Sequence, residues 1–412
     1  MVRGAVRAAL GGAGALLLLG CQAQASPGAG AEADPLEVGC APVAVFTSGE
    51  GGYHTFRIPA LVEAAEPGSG KPVLIALAEG RRHSEADYGD VDVVERRSTD
   101  GGCSWSPLER VSDAGTDTVG NPTPIVDSRR GRVVLLTTRN AGTTAEQQIM
   151  AGTVPPRDSR RVYVQSSADA GATWSRPREI TDQVKLPGWR WYATGPGHGV
   201  ALTKGPHEGR LVAGADHSVT PPAGSHDTGE EWRYCGGNSL ISDDGGVTWR
   251  IGYVDPAGDD RINVNETAVA QLPDGRLYFG ARDQNGKAPG NQAHAWSSDG
   301  GASVEAPFSE SAGVTAPMVK ASLLQTDDGR GTGPLLMAAP SDAQERVGMG
   351  VRVSRDGGAT WSAARRLSSA PAAYSDLAQL DRDRVGLLYE TGAGSPYESI
   401  VFTGLSLPVL GG

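Results

Sequence analysis

Apolar residues in this chain come in short bursts that alternate with polar positions or run together, and none repeats at helical spacing over more than a turn or two. "DVVERRS" (92–98), "RRVYVQS" (160–166), "GNSLIS" (237–242), "QAHAWS" (292–297) and "GVRVS" (350–354) read as strands. "GRVVLLTTRN" (131–140), "GRLVAGADHS" (209–218), "GRLYFGARD" (275–283) and "RVGLLYETG" (384–392) add further strands, several ending in a polar or charged residue.

Each strand of the first group runs into one motif, Ser-x-Asp-x-Gly-x-x-Trp. It appears as "STDGGCSW" (98–105), "SADAGATW" (167–174), "SDDGGVTW" (242–249) and "SRDGGATW" (354–361), with a degenerate copy, "SSDGGASV" (297–304), in which Val304 replaces the tryptophan. The starts lie 69, 75, 55 and 57 residues apart. A recurrence at this period marks a repeat architecture. The Asp and Gly suit a tight turn in which the carboxylate accepts from backbone N–H groups, and the Trp supplies packing surface. Turn chemistry accounts for every residue of the motif, so these are structural staples. The 373 residues from Cys40 onward hold about six such periods. The predicted fold is therefore all-β, a six-bladed β-propeller of four-stranded antiparallel sheets. The blade whose box lacks its Trp is expected to pack less tightly.

The first 25 residues read as a targeting segment. Arg3 and Arg7 precede an apolar stretch too short to span a bilayer. "LLGC", ending at Cys21, resembles a lipoprotein signal, whereas "AQA" (23–25) suits ordinary signal-peptide cleavage. Either reading exports the chain, secreted or held at the cell surface by a lipid on Cys21. Residues 26–39 read as a Pro/Gly/acidic tether and 40–412 as the folded domain. Export permits a disulfide, for which Cys40–Cys103 is the candidate pairing; buried free thiols are the alternative.

At 412 residues, with 39% hydrophobic and 21% charged positions, a large core is available. The formal net charge of -11 argues against a nucleic-acid or anionic-membrane binder, so an anionic ligand needs a local basic cluster. The seven histidines and four cysteines show no paired metal-ligand spacing, and no cofactor is called for. A monomer is expected.

Three features are left over once the fold is accounted for. Arginines recur on separate repeats: Arg57 in "YHTFRIPAL" (53–61), Arg282 in "YFGARDQNG" and Arg346 in "AQERVGMG". Strand alternation sends Phe56 and Ile58 to one face and Arg57 to the other, where a buried guanidinium must meet an anion. Strand ends of different blades converge on one axial face, where three guanidiniums could clamp a carboxylate. Second, "AEGRRHSEADYGDVDVVERRS" (78–98) crowds Glu79, Glu85, Asp87, Asp90 and Asp92; one could serve as a general acid, and composition does not choose among them. Third, Glu266 in "NVNETAVAQL" and Tyr374 in "AAYSDLAQL" each stand at the head of a strand.

These segments, together with "TGPGHGVAL" and "GLLYE", resemble the exo-α-sialidases (neuraminidases) of the bacterial and animal type over nearly the whole of 40–404. The resemblance implies that Arg57, Arg282 and Arg346 hold a sialic acid carboxylate and that Asp87 is the acid/base. It further implies Tyr374 as the nucleophile, Glu266 as its activator, Glu390 as the residue orienting the first arginine, and Arg81 as an accessory contact. The implied partners are sialylated glycoconjugates. A sialoside carries a carboxylate on its anomeric carbon, so a neutral tyrosine activated by Glu266 attacks where a carboxylate would be repelled. Transfer to another sugar, or within the same one, uses the same scaffold. A sialic-acid-binding propeller without catalysis would keep the arginines and lack Asp87, Glu266 or Tyr374, all present here. A hydrolase of neutral polysaccharides has no use for three arginines. The segments 143–160 and 218–234 are candidate rim loops.

Overall fold

The computed structural model describes residues 36–258, 260–287 and 290–411. The targeting segment, Cys21 and most of the expected tether lie outside the described residues. The fold is a β-propeller. Four of its sheets are separate, and the remaining eight-stranded sheet is two meanders joined through one parallel pairing, Val91 with Thr118. Dividing it there gives six four-stranded meanders, the predicted blades.

The strands nearest the axis are Thr55–Ala65, Thr118–Asp127, Trp189–Thr194, Val264–Gln271, Ser322–Gln325 and Ala372–Gln379, for blades one to six in turn. Blade three carries an extra short strand, Val200–Ala201. Blade six is completed from the other end of the chain: Val43–Thr47 pairs antiparallel with Ser399–Ser406 and closes the ring. The folded unit begins earlier than Cys40. Leu36 is fully buried, its carbonyl accepts from Ser406 N at 2.9 Å, and Val38 N donates to Gly404 O at 2.9 Å. An apolar side chain with a core to enter ends the tether before residue 40.

The five repeat motifs build one turn. In the first, Asp100 accepts from Ser104 N at 2.9 Å and from the Ser104 hydroxyl at 2.5 Å, while Ser98 Oγ accepts from Gly102 N at 2.9 Å. Asp169, Asp244, Asp299 and Asp356 do the same with Thr173, Thr248, Ser303 and Thr360. Each turn presses on the preceding blade. A Cβ on Gly102 would sit 2.0 Å from the ring of Phe402 in blade six, and one on Gly358 would sit 2.2 Å from Tyr278 in blade four. Both glycines have positive φ, so conformation and close approach together require glycine. The blade with Val304 is not left loose: Tyr253 packs on Phe279 and Phe308 at ring distances of 4.8 and 5.8 Å, in the cluster that Val304 joins. Cys40 and Cys103 form a disulfide that ties the closing strand to the first turn, and Cys235 is a buried free thiol.

Hydrogen bonds, foremost that of the Ser104 hydroxyl, hold the Asp100 carboxyl down from an ordinary 3.8 to about 2. A depressed folded-state value stabilises above pH 3.8, and the contribution fades as pH falls through 2. Thermal melts should therefore show Asp100→Asn several degrees below wild type at pH 6 and converging with it near pH 2. A gap that stays constant with pH would contradict this role.

Candidate active site

Five of the six axial strands break register near their site end. The shifts fall between Arg57 and Ala60, Gly120 and Thr123, Trp189 and Tyr192, Val264 and Thr267, and Ala372 and Ser375. A β-bulge re-aims side chains, and these bulges carry Arg57, Asn121, Trp191, Glu266 and Tyr374. Simple alternation fails at Arg57 for this reason. Ile58 takes φ 58°, a left-handed conformation rare for a β-branched residue, so Arg57 and Ile58 both line the axial cavity while Phe56 packs elsewhere.

Glu390 fixes this geometry. It is fully buried and accepts from Arg57 Nε at 2.8 Å, Ile58 N at 2.8 Å and Tyr374 N at 3.1 Å. Glu79 does similar work on the neighbouring side: it accepts from Arg81 Nε at 3.0 Å and Nη2 at 2.6 Å, and from Asn121 N at 2.8 Å. The loop with Gly197 and His198, after Trp189–Thr194, reaches the axial strand of blade six. His198 N and Nδ1 each lie 2.9 Å from Asp376, which also faces the buried Lys320 at 4.0 Å.

The cavity has a volume of about 420 Å³ and is lined by Arg57, Arg81, Asp87, Glu266, Arg282, Arg346 and Tyr374, so every sequence-predicted residue proposed to touch substrate is here. Tyr374 donates to Glu266, whose two carboxylate oxygens each lie 2.9 Å from the phenol. Arg282 Nη1 is 3.0 Å from both Glu266 Oε2 and the Tyr374 hydroxyl. Burial first, then the Glu266 carboxylate, raise the Tyr374 phenol above its ordinary value, against the lowering pull of the three arginines. It is therefore neutral at rest, with its proton acceptor already in contact.

The five acidic candidates sort themselves by partner. Glu79 is committed to Arg81; Asp90 and Asp92 bind Arg82 at 3.0 and 2.7 Å. Glu85 is exposed, and its carbonyl accepts from Arg81 Nη1 at 2.5 Å. Asp87 is exposed at the cavity mouth, its carboxylate unpaired by hydrogen bond or ion pair among the described residues.

Several residues in or beside the cavity were not singled out from sequence. Tyr397 joins two of the arginines: its hydroxyl accepts from Arg346 Nη1 at 3.0 Å and its ring lies 3.9 Å below the Arg57 guanidinium. The expected rim loops reach inward, bringing Glu146, Arg160 and Trp232 to the wall, and blade three adds Trp191 and Asp216. Burial, then the Asp87 charge, push Glu146 up to about 7. Burial, then Glu266 and Glu146, lift Asp216 well above the carboxylate range. No motif flags these residues; only the tendency of rim loops to carry function pointed at their segments.

A BNR repeat-like domain model matches residues 73–388. Human Sialidase-3 is 30% identical over 406 residues, covering 84% of this chain and 88% of that protein. The chain belongs to the sialidase family. An exo-alpha-sialidase of Aspergillus fumigatus is 29% identical, covering 86% of this chain and 85% of its own. Among solved structures, a Hadza microbial sialidase superposes with a TM-score of 0.74 at 26% identity, over 89% of this chain and 69% of that one. A leech intramolecular trans-sialidase shares the fold, with a TM-score of 0.72 at 16% identity over 90% of this chain and 71% of that one.

Within this sialidase scaffold, removing the Glu390 charge would leave Arg57 buried without its counter-ion, a loss of about 3–5 kcal/mol when one partner of a buried pair goes. Glu390→Gln should lower the melting temperature and raise KM more than tenfold, as Arg57 loses its orientation. An unchanged KM in a folded variant would show that Arg57 is held by other means.

Proposed function

We propose that this protein is an exo-α-sialidase that hydrolyses terminal α-linked sialic acid from glycoconjugates with retention, through a covalent sialyl-tyrosine. The observation that carries this reading is the Tyr374–Glu266 pair, at 2.9 Å, standing in one cavity with three arginines from three blades. Guanidiniums suit a carboxylate ligand because they bind it in bidentate fashion and stay charged.

The substrate carboxylate enters among Arg57, Arg282 and Arg346, which sets the anomeric carbon between Tyr374 and Asp87. As the Tyr374 oxygen attacks that carbon, its proton passes to Glu266. Asp87, as the acid, gives a proton to the departing glycosidic oxygen. The arginines hold the substrate's own negative charge beside the positive charge that develops on the ring. In the second half, Asp87 takes a proton from water as the water attacks the anomeric carbon, and Glu266 returns its proton to the released phenolate. Two inversions give net retention.

Export is part of the proposal. The Cys40–Cys103 disulfide supports an oxidising compartment, and the mature chain would be secreted or held by a lipid on Cys21.

NMR of an aryl α-sialoside reaction should show the α anomer of the free sugar first. Tyr374→Phe should lose most of kcat, and near-wild-type turnover by that variant would count against the mechanism. Asp87→Asn should lose about 10²–10⁴-fold on natural sialosides, and far less on an aryl sialoside whose leaving group needs no proton. Equal losses on both would remove Asp87 from the acid role.

A further inference from the structure

Two of the three arginines have a carboxylate of their own: Arg57 has Glu390 at 2.8 Å, and Arg282 has Glu266 at 3.0 Å. Arg346 makes no ion pair among the described residues. It is held by two neutral acceptors, since Nη1 donates to the Tyr397 hydroxyl and Nη2 to the Met318 carbonyl, each at 3.0 Å. The same tyrosine lays its ring 3.9 Å from the Arg57 guanidinium. Resting on the sialidase reading, we propose that Tyr397 is a positioning residue for the substrate carboxylate. It holds Arg57 and Arg346 as one fork and leaves the charge of Arg346 uncancelled for the ligand.

Two guanidiniums aimed at one point repel each other until an anion arrives between them. Both also border the Tyr374 ring, Arg57 at 5.5 Å and Arg346 at 5.4 Å from its centre. A protein carboxylate beside Arg346 would relieve the repulsion, but it would then compete with the substrate for that guanidinium. A phenol relieves it without a charge. The negative face of its ring attracts Arg57, and its oxygen accepts from Arg346. Glu390 takes Arg57 by Nε, which leaves the Nη edge for a ligand.

The place of Tyr397 in the ring suits this role. It lies in the turn between Arg384–Thr391 and Ser399–Ser406 of blade six, and blade six stands between blade five with Arg346 and blade one with Arg57. That turn is tied down on both sides. The Glu398 carboxylate accepts from the N–H groups of Ala393, Gly394 and Ser395 at 2.9, 2.8 and 3.0 Å. Ser48 Oγ, just past the closing strand, donates to the Tyr397 carbonyl at 2.7 Å. Long arginine side chains gain precision from a support that is itself held in place.

The test is a double-mutant cycle on the whole enzyme with an activated aryl α-sialoside, built from Tyr397→Phe and Arg346→Met. Tyr397→Phe keeps the ring on Arg57 and removes the acceptor for Arg346. It should raise KM about tenfold, the size of one hydrogen bond to a charged group, with kcat within about twofold of wild type. In the Arg346→Met background the same change should cost less than about twofold in kcat/KM, because the group Tyr397 acts through is gone. Tyr397→Leu, which also removes the ring, should raise KM several-fold further. A wild-type KM in Tyr397→Phe, or an equal loss in kcat/KM with and without Arg346, would overturn the assignment while leaving the sialidase reading intact. The Phe variant loses a single oxygen, so its KM decides even if the Leu or Met variant fails to fold. No turnover of the aryl sialoside by wild type would overturn the sialidase reading and this inference with it.

Discussion

A carboxylate sealed from water must find all its partners inside the protein, and Glu390 finds three at once: the Arg57 side chain and the backbone N–H groups of Ile58 and Tyr374. Those three belong to the first and the last blade. One buried charge thus sets the aim of the first arginine, satisfies the strained backbone at Ile58, and fixes the strand that carries the nucleophile. Glu79 repeats the device between blades one and two through Arg81 and Asn121. The site is preorganised because its charges are supported from behind by other charges that cannot relax into solvent.

The fold could be read from the sequence because its determinants are local. Each repeat turn closes on itself within eight residues, with Asp, Ser and Gly at the offsets the hydrogen bonds require, so counting motifs came close to counting blades. Even the missing tryptophan misled only slightly, since packing surface came from Tyr253 and Phe308, which no local rule connects to Val304.

Site residues divide differently. Arg57, Glu266 and Tyr374 stood in segments whose resemblance to a family was specific, and the structure brings them to one cavity. Alternation nevertheless gave the wrong face for Ile58, because a bulge inserts a residue that pattern reading does not see. Arg160 was hidden for another reason. In "SRRVYVQS" it looks like an ordinary charged residue at a strand start, and only the third dimension puts it under cover beside Trp191. Glu146 and Trp232 open the short helical turns Glu146–Met150 and Trp232–Tyr234 inside the rim segments, and no strand period announces either.

The ring closure has a consequence for how the chain comes to be folded. Val43 pairs with Phe402, so the strand synthesised first finds its partner last, after five blades have formed around the axis. Contacts this distant in sequence form slowly, and until then both partners present open strand edges, the usual route to aggregation. Cys103 lies only 63 residues from Cys40, within the first blade. The bridge can therefore moor the waiting strand beside its destination long before the last blade arrives, turning a search along the whole chain into a short local one.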